Sequence, residues 1–506
     1  MLVFNQMKKR DIKPNCFTFP FVIKSCKKLG DLVESKKVHC FVIKAGFQDN
    51  PFISISMIDL YSTLGQVKSA RIMFDAMPER NIVAWTTMIS GYILSGDIEN
   101  ARALFDLTPD RDVIIWNTMV SGYIGKGDMC TAKQLFDEMP NPDIMAYNTL
   151  LIGYFNNDEF EKGERFFNEM PEKNVFSWNG LIGGYARKSQ FSKVLDAFDR
   201  MLKESSDIPP NDATLVSVLT ACSRLGALDM GKSVHVYAES NGYKQNVYVG
   251  NGLIDMYSRC GSIEDALDVF NGMNSKDLIT WNSLISGLAM HGRGTDALTM
   301  FDQMINANVK PDKITFVGVL CACTHMGLID EGFSLLNLMI KDYSITPEIE
   351  HHGCIVDLLA RAGYLEEAFA YIKAIPMQAD AVIWSALLGA CRTYKNIELA
   401  EYCLEQLIKL EPKNPANYVM LANICKDMNR WEDVSRLKVA MKDTGVRKPT
   451  GCSLIEVNGS LNGFYSLDEK HPKRDEIYRV SNQLVELLKL PTYSSKLDKL
   501  EEYYVF

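Results

Sequence analysis

Apolar residues recur along most of the chain at helical spacing, in short paired runs. Between Val113 and Asp143, Trp116, Met119, Val120 and Tyr123 stand at i, i+3, i+4 and i+7, the spacing of one face of an α-helix. Ala132, Leu135, Phe136 and Met139 repeat that spacing after an interruption at Gly125 to Asp128, and Pro140 closes the second run. The stretch predicts a helix, a tight turn and a second helix. One such pair cannot cover its own apolar faces, so it needs neighbours stacked against it.

The neighbours are present in the sequence. Trp85, Trp116, Tyr147 and Trp178 follow one another at intervals of 31, each inside a version of "W(N/T)xhhxGY", and the blocks close near "FDxMP". Trp281 and Trp384 hold the same slot further on. Eleven blocks lie end to end: 16–50, 51–81, 82–112, 113–143, 144–174, 175–211, 212–246, 247–277, 278–312, 313–348 and 349–380. A second, longer type is interleaved, because "TFPFVIKSCKKLGDLVESKKVHCFVIKAGF" at 18–47 returns as "TLVSVLTACSRLGALDMGKSVHVYAESNGY" at 214–243. The rhythm changes at Ala381, and strand-like segments follow around Asn458-Gly459, a favoured hairpin turn.

Composition narrows the function. A chain of 506 residues that is 47% hydrophobic can bury a large core. It has no run of eighteen or more uncharged apolar residues and no secretory signal pattern in "MLVFNQMKKRDIKPN", so a soluble protein is expected. The net charge of -9 argues against nucleic-acid binding through bulk electrostatics, so any such role must rest on a local stripe. Thirteen cysteines without framework spacing suit reduced thiols filling small gaps in the core.

"WNTMVSGY", "FDEMP", "LGALDMGKSVH", "GNGLIDMYSRCGSIEDALDVF" and "VLCACTHMGLIDEG" resemble the pentatricopeptide repeat family of land plants, in the subclass that mixes canonical, long and short repeats. The resemblance runs from Met1 to about Leu490 and implies an all-α, right-handed α-solenoid superhelix. On this reading 1–15 is the second half of a repeat whose first helix lies upstream, and 16–380 holds the eleven repeats. Residues 381–451 resemble the family's extension domain of two tetratricopeptide-like helix pairs, 452–490 its further short extension with a β-hairpin, and 491–506 is a tail. Leu454 stands where that extension usually has Trp, and Asn462 where it usually has His.

In block 113–143 the residue after the stripe aromatic is Asn117, turned about 100° from Trp116, and it is expected to leave the core. Thr86, Asn148, Asn179, Asn251 and Asn282 are its equivalents, and the corresponding blocks end on Asp112, Asp143, Asn174, Asn211, Asp277 and Asp312. Asn and Asp also cap helix ends, which offers a purely structural account of the block-final residues. Asn in the first turn of helix after helix is harder to assign to stability. The resemblance implies that each repeat meets one RNA base, whose Watson–Crick edge the fifth and last residues hydrogen-bond. Val83, Ile114, Met145, Phe176, Tyr248 and Ile279, second in their blocks, would be apolar wedges against the base face. The family's code gives G for Thr86 with Asp112, U for Asn117 with Asp143, a pyrimidine each for Asn148 with Asn174 and Asn179 with Asn211, and U for Asn251 with Asp277 and Asn282 with Asp312. Pro20, Val216, Val317, Ile55 and Gly353 depart from the pattern, so the implied target is 5′-G-U-Y-Y-N-U-U-N-N-3′. The reading requires these polar side chains to face a nucleotide strand, and burial of Asn117, Asn148 and Asn282, or their facing outward on the convex rim, would overturn it.

Relatives that continue into a zinc deaminase carry HxE and CxxC, whereas none of the seven histidines here has Glu two residues on and no two cysteines are three apart. The resemblance therefore implies a non-catalytic site-recognition factor for cytidine-to-uridine editing in a plant organelle, the mitochondrion favoured over the chloroplast. It needs no cofactor or metal, has no membrane partner, and takes its deaminase, of the type ending in Asp-Tyr-Trp (DYW), and its editing accessory factors in trans. Transcript stabilisation, splicing or translation is the alternative within RNA binding, and a peptide-gripping scaffold the alternative of another class. Cys321 with Cys323 suits core packing better than a metal, His351 with His352 capping or solvent, and His39 with His235 equivalent places in the fold. "GKGD" at 125–128 and "GLIGG" at 180–184 lack the spacing of phosphate loops, and "DEKHPKRDE" at 468–476 reads as a solvated face.

Overall fold

The computed structural model describes residues 4, 6, 7, 10, 12–204, 207–427, 429–443, 451–457, 460–465 and 473–488. It divides into two units, Met1–Ser217 and Val218–Phe506, and both are built from antiparallel helix pairs. In the first unit the pairs are Thr18–Leu29 with Leu32–Lys44, Pro51–Thr63 with Val67–Ala76, Ile82–Leu94 with Ile98–Leu107, Val113–Lys126 with Met129–Glu138, Ile144–Asn156 with Phe160–Glu169, and Val175–Arg187 with Phe191–Glu204. In the second they include Val247–Arg259 with Ile263–Gly272, Leu278–Met290 with Gly294–Asn306, Lys313–Met326 with Ile329–Lys341, and Ile349–Arg361 with Leu365–Ala374. Beyond Ala381 follow Ala381–Thr393 with Ile397–Leu410 and Pro415–Asp427 with Trp431–Asp443. Strands Cys452–Val457 and Ser460–Tyr465 pair antiparallel, with Val457 opposite Ser460. The Asn458-Gly459 turn itself, the side chains of Leu454 and Asn462, and residues 466–472 and 489–506 lie outside the described residues, as does much of 1–11.

Pair ends follow the sequence chemistry. Each block-final Asp or Asn precedes a first helix in extended backbone and takes that helix's third N–H on its side-chain oxygen, as Asp112 does from Ile115 at 2.9 Å and Asp143 from Ala146 at 2.8 Å. The turn inside block 113–143 differs from expectation by two residues. Gly125 stays helical, and Gly127, at φ 82°, ends the helix in the left-handed conformation that glycine adopts without strain.

What locks one pair to the next is aromatic. In five blocks a Phe followed by Asp or Asn meets the Trp or Tyr of the following block edge to face: Phe74 with Trp85 at 5.0 Å, Phe105 with Trp116 at 4.8 Å, Phe136 with Tyr147 at 4.9 Å, Phe167 with Trp178 at 4.7 Å and Phe270 with Trp281 at 4.9 Å. Edge-to-face pairs add about 0.5–1.5 kcal/mol each to what their burial provides. Between successive first helices the "GY" glycine permits close approach, since a Cβ on Gly184 would lie 2.5 Å from the ring of Phe155.

Of the thiols, Cys26, Cys222, Cys323, Cys391, Cys403 and Cys425 are buried as expected, but Cys40 and Cys130 are exposed and fill no gap. His351 and His352 are buried and do not meet solvent: His351 caps its helix through Glu348 and reaches the Lys313 carbonyl at 2.9 Å, and His352 bonds the Tyr371 hydroxyl at 2.9 Å. His39 and His235 hold equivalent places, each bonded through Nδ1 to a tyrosine hydroxyl, Tyr61 or Tyr257, at 2.9 Å. Among the described residues no helix is long and apolar enough to cross a membrane.

Candidate nucleic-acid interface

The second residues of the blocks stand clear of the core. Val83, Ile114, Met145, Phe176, Tyr248 and Ile279 are 52–67% exposed, in helices whose other apolar residues are largely buried. They form a row, one per repeat, within each unit.

The fifth residues lie differently from expectation. Asn117, Asn148 and Asn251 are each 8% exposed and Asn282 is 6% exposed, while Asn179 and Thr86 are half-buried. The expectation that they leave the core is thus corrected for four of six. The reason is the crossing of the strip between two first helices: a side chain one residue past the stripe aromatic lies under the start of the next helix. There it meets the block-final residue, whose side chain has turned in to cap that helix.

The two make a clamp with a third partner. Asn148 Nδ2 donates to Asn174 Oδ1 at 3.1 Å while Asn148 Oδ1 accepts from the Ser177 hydroxyl at 2.7 Å. Asn179 donates to Asn211 at 3.0 Å and accepts from Thr214 at 2.6 Å. Asn251 donates to Asp277 at 3.1 Å and accepts from Thr280 at 2.6 Å. Asn282 donates to Asp312 at 3.0 Å and accepts from Thr315 at 2.6 Å. Capping and pairing therefore coexist in one block-final side chain: Oδ1 serves the helix end, and the second polar atom stays open. Burial pushes the Asp277 carboxyl up, but hydrogen bonds from Thr280 and Asn251 outweigh it and hold the group below the usual carboxylate range. It is an ionised acceptor at neutral pH.

Two of these six repeats lack the clamp. Thr86 turns its hydroxyl back to the Ile82 carbonyl of its own helix at 2.8 Å. Asn117 is buried with both amide atoms unpartnered, and Ala146 occupies the place of the Ser or Thr hydroxyl that would donate to its oxygen. Ser177, Thr214, Thr280 and Thr315 were not singled out in the sequence, although a Ser or Thr third in the block after each clamped Asn was there to be read.

Between the wedges Ile279 and Ile314 a cleft of about 230 Å³ opens, with Asn282 and Asp312 in its lining and Arg259 and Met290 at its sides. Asn282, though buried, is reached through it. The site offers one unused amide N–H and one carboxylate oxygen between two apolar faces. Among the described residues no group of three or more His, Cys, Asp or Glu side chains is placed to hold a metal.

A stack of helix pairs with a periodic row of exposed apolar side chains over amide and carboxylate pairs defines a helical-repeat solenoid protein. The chain belongs to the pentatricopeptide repeat family. The family's repeat model matches residues 55–82, 83–113, 114–141, 145–175, 176–206, 251–278 and 314–343, a second repeat model 276–325, and the E motif 394–456. The chain is 49% identical over 96% of its length to the pentatricopeptide repeat-containing protein At3g29230 of Arabidopsis thaliana, covering 81% of that protein. It is 37% identical to the protein At3g26782, mitochondrial, of the same plant, over 96% of this chain and 76% of that one. The fold is similar to that of the pentatricopeptide repeat protein PPR10 in complex with an 18-nt psaJ RNA element, with TM-score 0.53 at 17% identity over 87% of this chain and 77% of that one.

Proposed function

We propose that the protein binds single-stranded RNA by sequence, one base per repeat, as a site-recognition factor for cytidine-to-uridine editing in a plant organelle. The cleft between Ile279 and Ile314 carries this reading, because its polar lining complements a pyrimidine edge while its apolar walls suit a base's two faces. At Asn282 and Asp312 a donor lies beside an ionisable acceptor, which fits uracil, whose N3–H donates and whose carbonyls accept. At Asn148 and Asn174 the open atom of the second residue is an amide nitrogen, which suits the acceptors of a pyrimidine instead. The burial of Asn117, Asn148 and Asn282 removes the simpler version in which exposed polar side chains reach out to the strand. What stands in its place is a base edge entering the cleft to meet them. With a net charge of -9, affinity must come from such contacts more than from phosphate neutralisation.

Binding runs parallel to the RNA in this proposal, 5′-G-U-Y-Y-N-U-U-N-N-3′, with the target cytidine just downstream. A DYW-type deaminase and accessory factors supply the chemistry in trans, recruited through 381–451 and the hairpin, and the setting is the mitochondrion before the chloroplast. The PPR10 structure was solved with RNA, and relatives are named mitochondrial or chloroplastic, which supports RNA binding and an organellar setting. Gel-shift measurement tests the binding: Asn251→Thr moves preference from U toward G at the sixth nucleotide only, and loss without a switch overturns the base-reading role. Editing across the organellar transcriptome in a loss-of-function plant tests the rest, where normal editing with altered transcript ends or retained introns would move the role to stabilisation or splicing.

A further inference from the structure

We infer that the Ser or Thr third in the following block is a positioning residue that fixes which way the reading amide faces, and that the repeat of Asn117, which lacks it, discriminates bases weakly. The inference rests on the RNA reading above.

The direction of each clamp is set by a backbone group that can only donate. The N–H of the block-final residue donates to the hydroxyl oxygen: Asn174 to Ser177 at 3.1 Å, Asn211 to Thr214 at 3.2 Å, Asp277 to Thr280 at 3.1 Å and Asp312 to Thr315 at 3.1 Å. The hydroxyl hydrogen then has two oxygens within reach, the Oδ1 of the fifth-position Asn at 2.6–2.7 Å and the block-final Oδ1 at 2.8–3.1 Å, and in every clamp the shorter contact is to the Asn. That amide is then left with one orientation, oxygen to the hydroxyl and nitrogen to the block-final oxygen. An Asn side chain turned over by half a rotation exchanges donor for acceptor, so a free amide offers either to a base and a fixed one offers only N–H. All four hydroxyl residues are fully buried, and the lock is shielded from water.

Asn117 shows the other case. Its amide is buried and unpartnered at both ends, and Ala146 supplies no hydroxyl. No protein hydrogen bond holds it in one orientation, so an incoming base selects the orientation instead of being selected.

The test uses the full chain, single-stranded RNA of the string above with all four bases in turn at nucleotides 2 and 3, and thermal melting of each variant. Ala146→Ser is expected to sharpen the preference at nucleotide 2 about tenfold and leave nucleotide 3 unchanged. Ser177→Ala is expected to lower the preference at nucleotide 3 by about the same factor, and Ser177→Thr to retain it. Unaltered preference at both nucleotides in Ala146→Ser and Ser177→Ala, with sequence-dependent binding intact, overturns the inference and leaves the hydroxyl as a helix cap. If Ser177→Ala does not fold, Ala146→Ser decides alone. A wild-type chain that binds RNA with no preference at any nucleotide overturns the RNA reading and this inference with it.

Discussion

Asn282 donates to Asp312 at 3.0 Å although thirty residues separate them, so one member sits in the first turn of a repeat and the other caps the helix of the next. Neither can be removed without disturbing the other. Asn282→Ala takes away the N–H proposed to read the base and leaves Ile279 and Ile314 of the cleft in place. Binding to RNA with U at the seventh nucleotide is expected to weaken by about 1–3 kcal/mol, while substitutions at other nucleotides keep their wild-type effects. A gel-shift series over single-base variants measures this.

Phe176 separates recognition from stability. At 63% exposure its ring contributes little to the core, so Phe176→Ala should change the melting free energy by less than about 0.5 kcal/mol. Losing a ring that stacks on a base should weaken RNA binding by about 1–3 kcal/mol for any base at that position. An affinity loss that depends on base identity would contradict the wedge role.

Gly183 and Gly184, neighbours in the helix Val175–Arg187, should respond in opposite ways to alanine. A Cβ on Gly183 meets nothing within 4 Å, so Gly183→Ala is expected to stabilise by about 0.5–1 kcal/mol through helix propensity. On Gly184 it would press on the buried Phe155 ring at 2.5 Å, and overpacking of that kind costs about 1–3 kcal/mol. Urea unfolding of the two variants compares them directly.

Stability should fall in mild acid through four histidines. Burial lowers the pKa of His39, His235, His325 and His352 below the ordinary imidazole value, aided at His325 by Arg361 and at His352 by the neighbouring His351. The unfolded chain then binds protons more readily than the folded one, so stability is full above the unfolded pKa of about 6.5 and is lost as pH drops below it toward the folded values. Melting measured from about pH 7 to about pH 5 should show the fall, and the triple variant His39→Gln, His235→Gln, His352→Gln should show a smaller one.

The repeats were legible from the sequence because packing is periodic. Trp116, Met119 and Val120 are buried as the helical spacing requires, and each helix pair falls inside its expected block. The wedges at Val83 to Ile279 are exposed where their place just ahead of the stripe puts them. Asn117 and Asn148 were misplaced because helix rotation gives the angle from Trp116 or Tyr147 within one helix, and it is the next repeat that buries them. The hydroxyls of Ser177, Thr214, Thr280 and Thr315 went unnoticed for the same reason: their partner lies 29 to 35 residues upstream, and a third-position Ser or Thr looks like an ordinary capping-box residue.

Because every clamp takes its third member from beyond the block boundary, a 31-residue cassette cut at Asp112 and Asp143 or at their equivalents is not self-sufficient. Transplanted with those ends, Asn148 would leave Ser177 behind and its specificity would depend on whatever residue the recipient happens to supply. Shuffling these units to new targets calls for a cut at least three residues later, so that the donor's hydroxyl travels with the amide it holds.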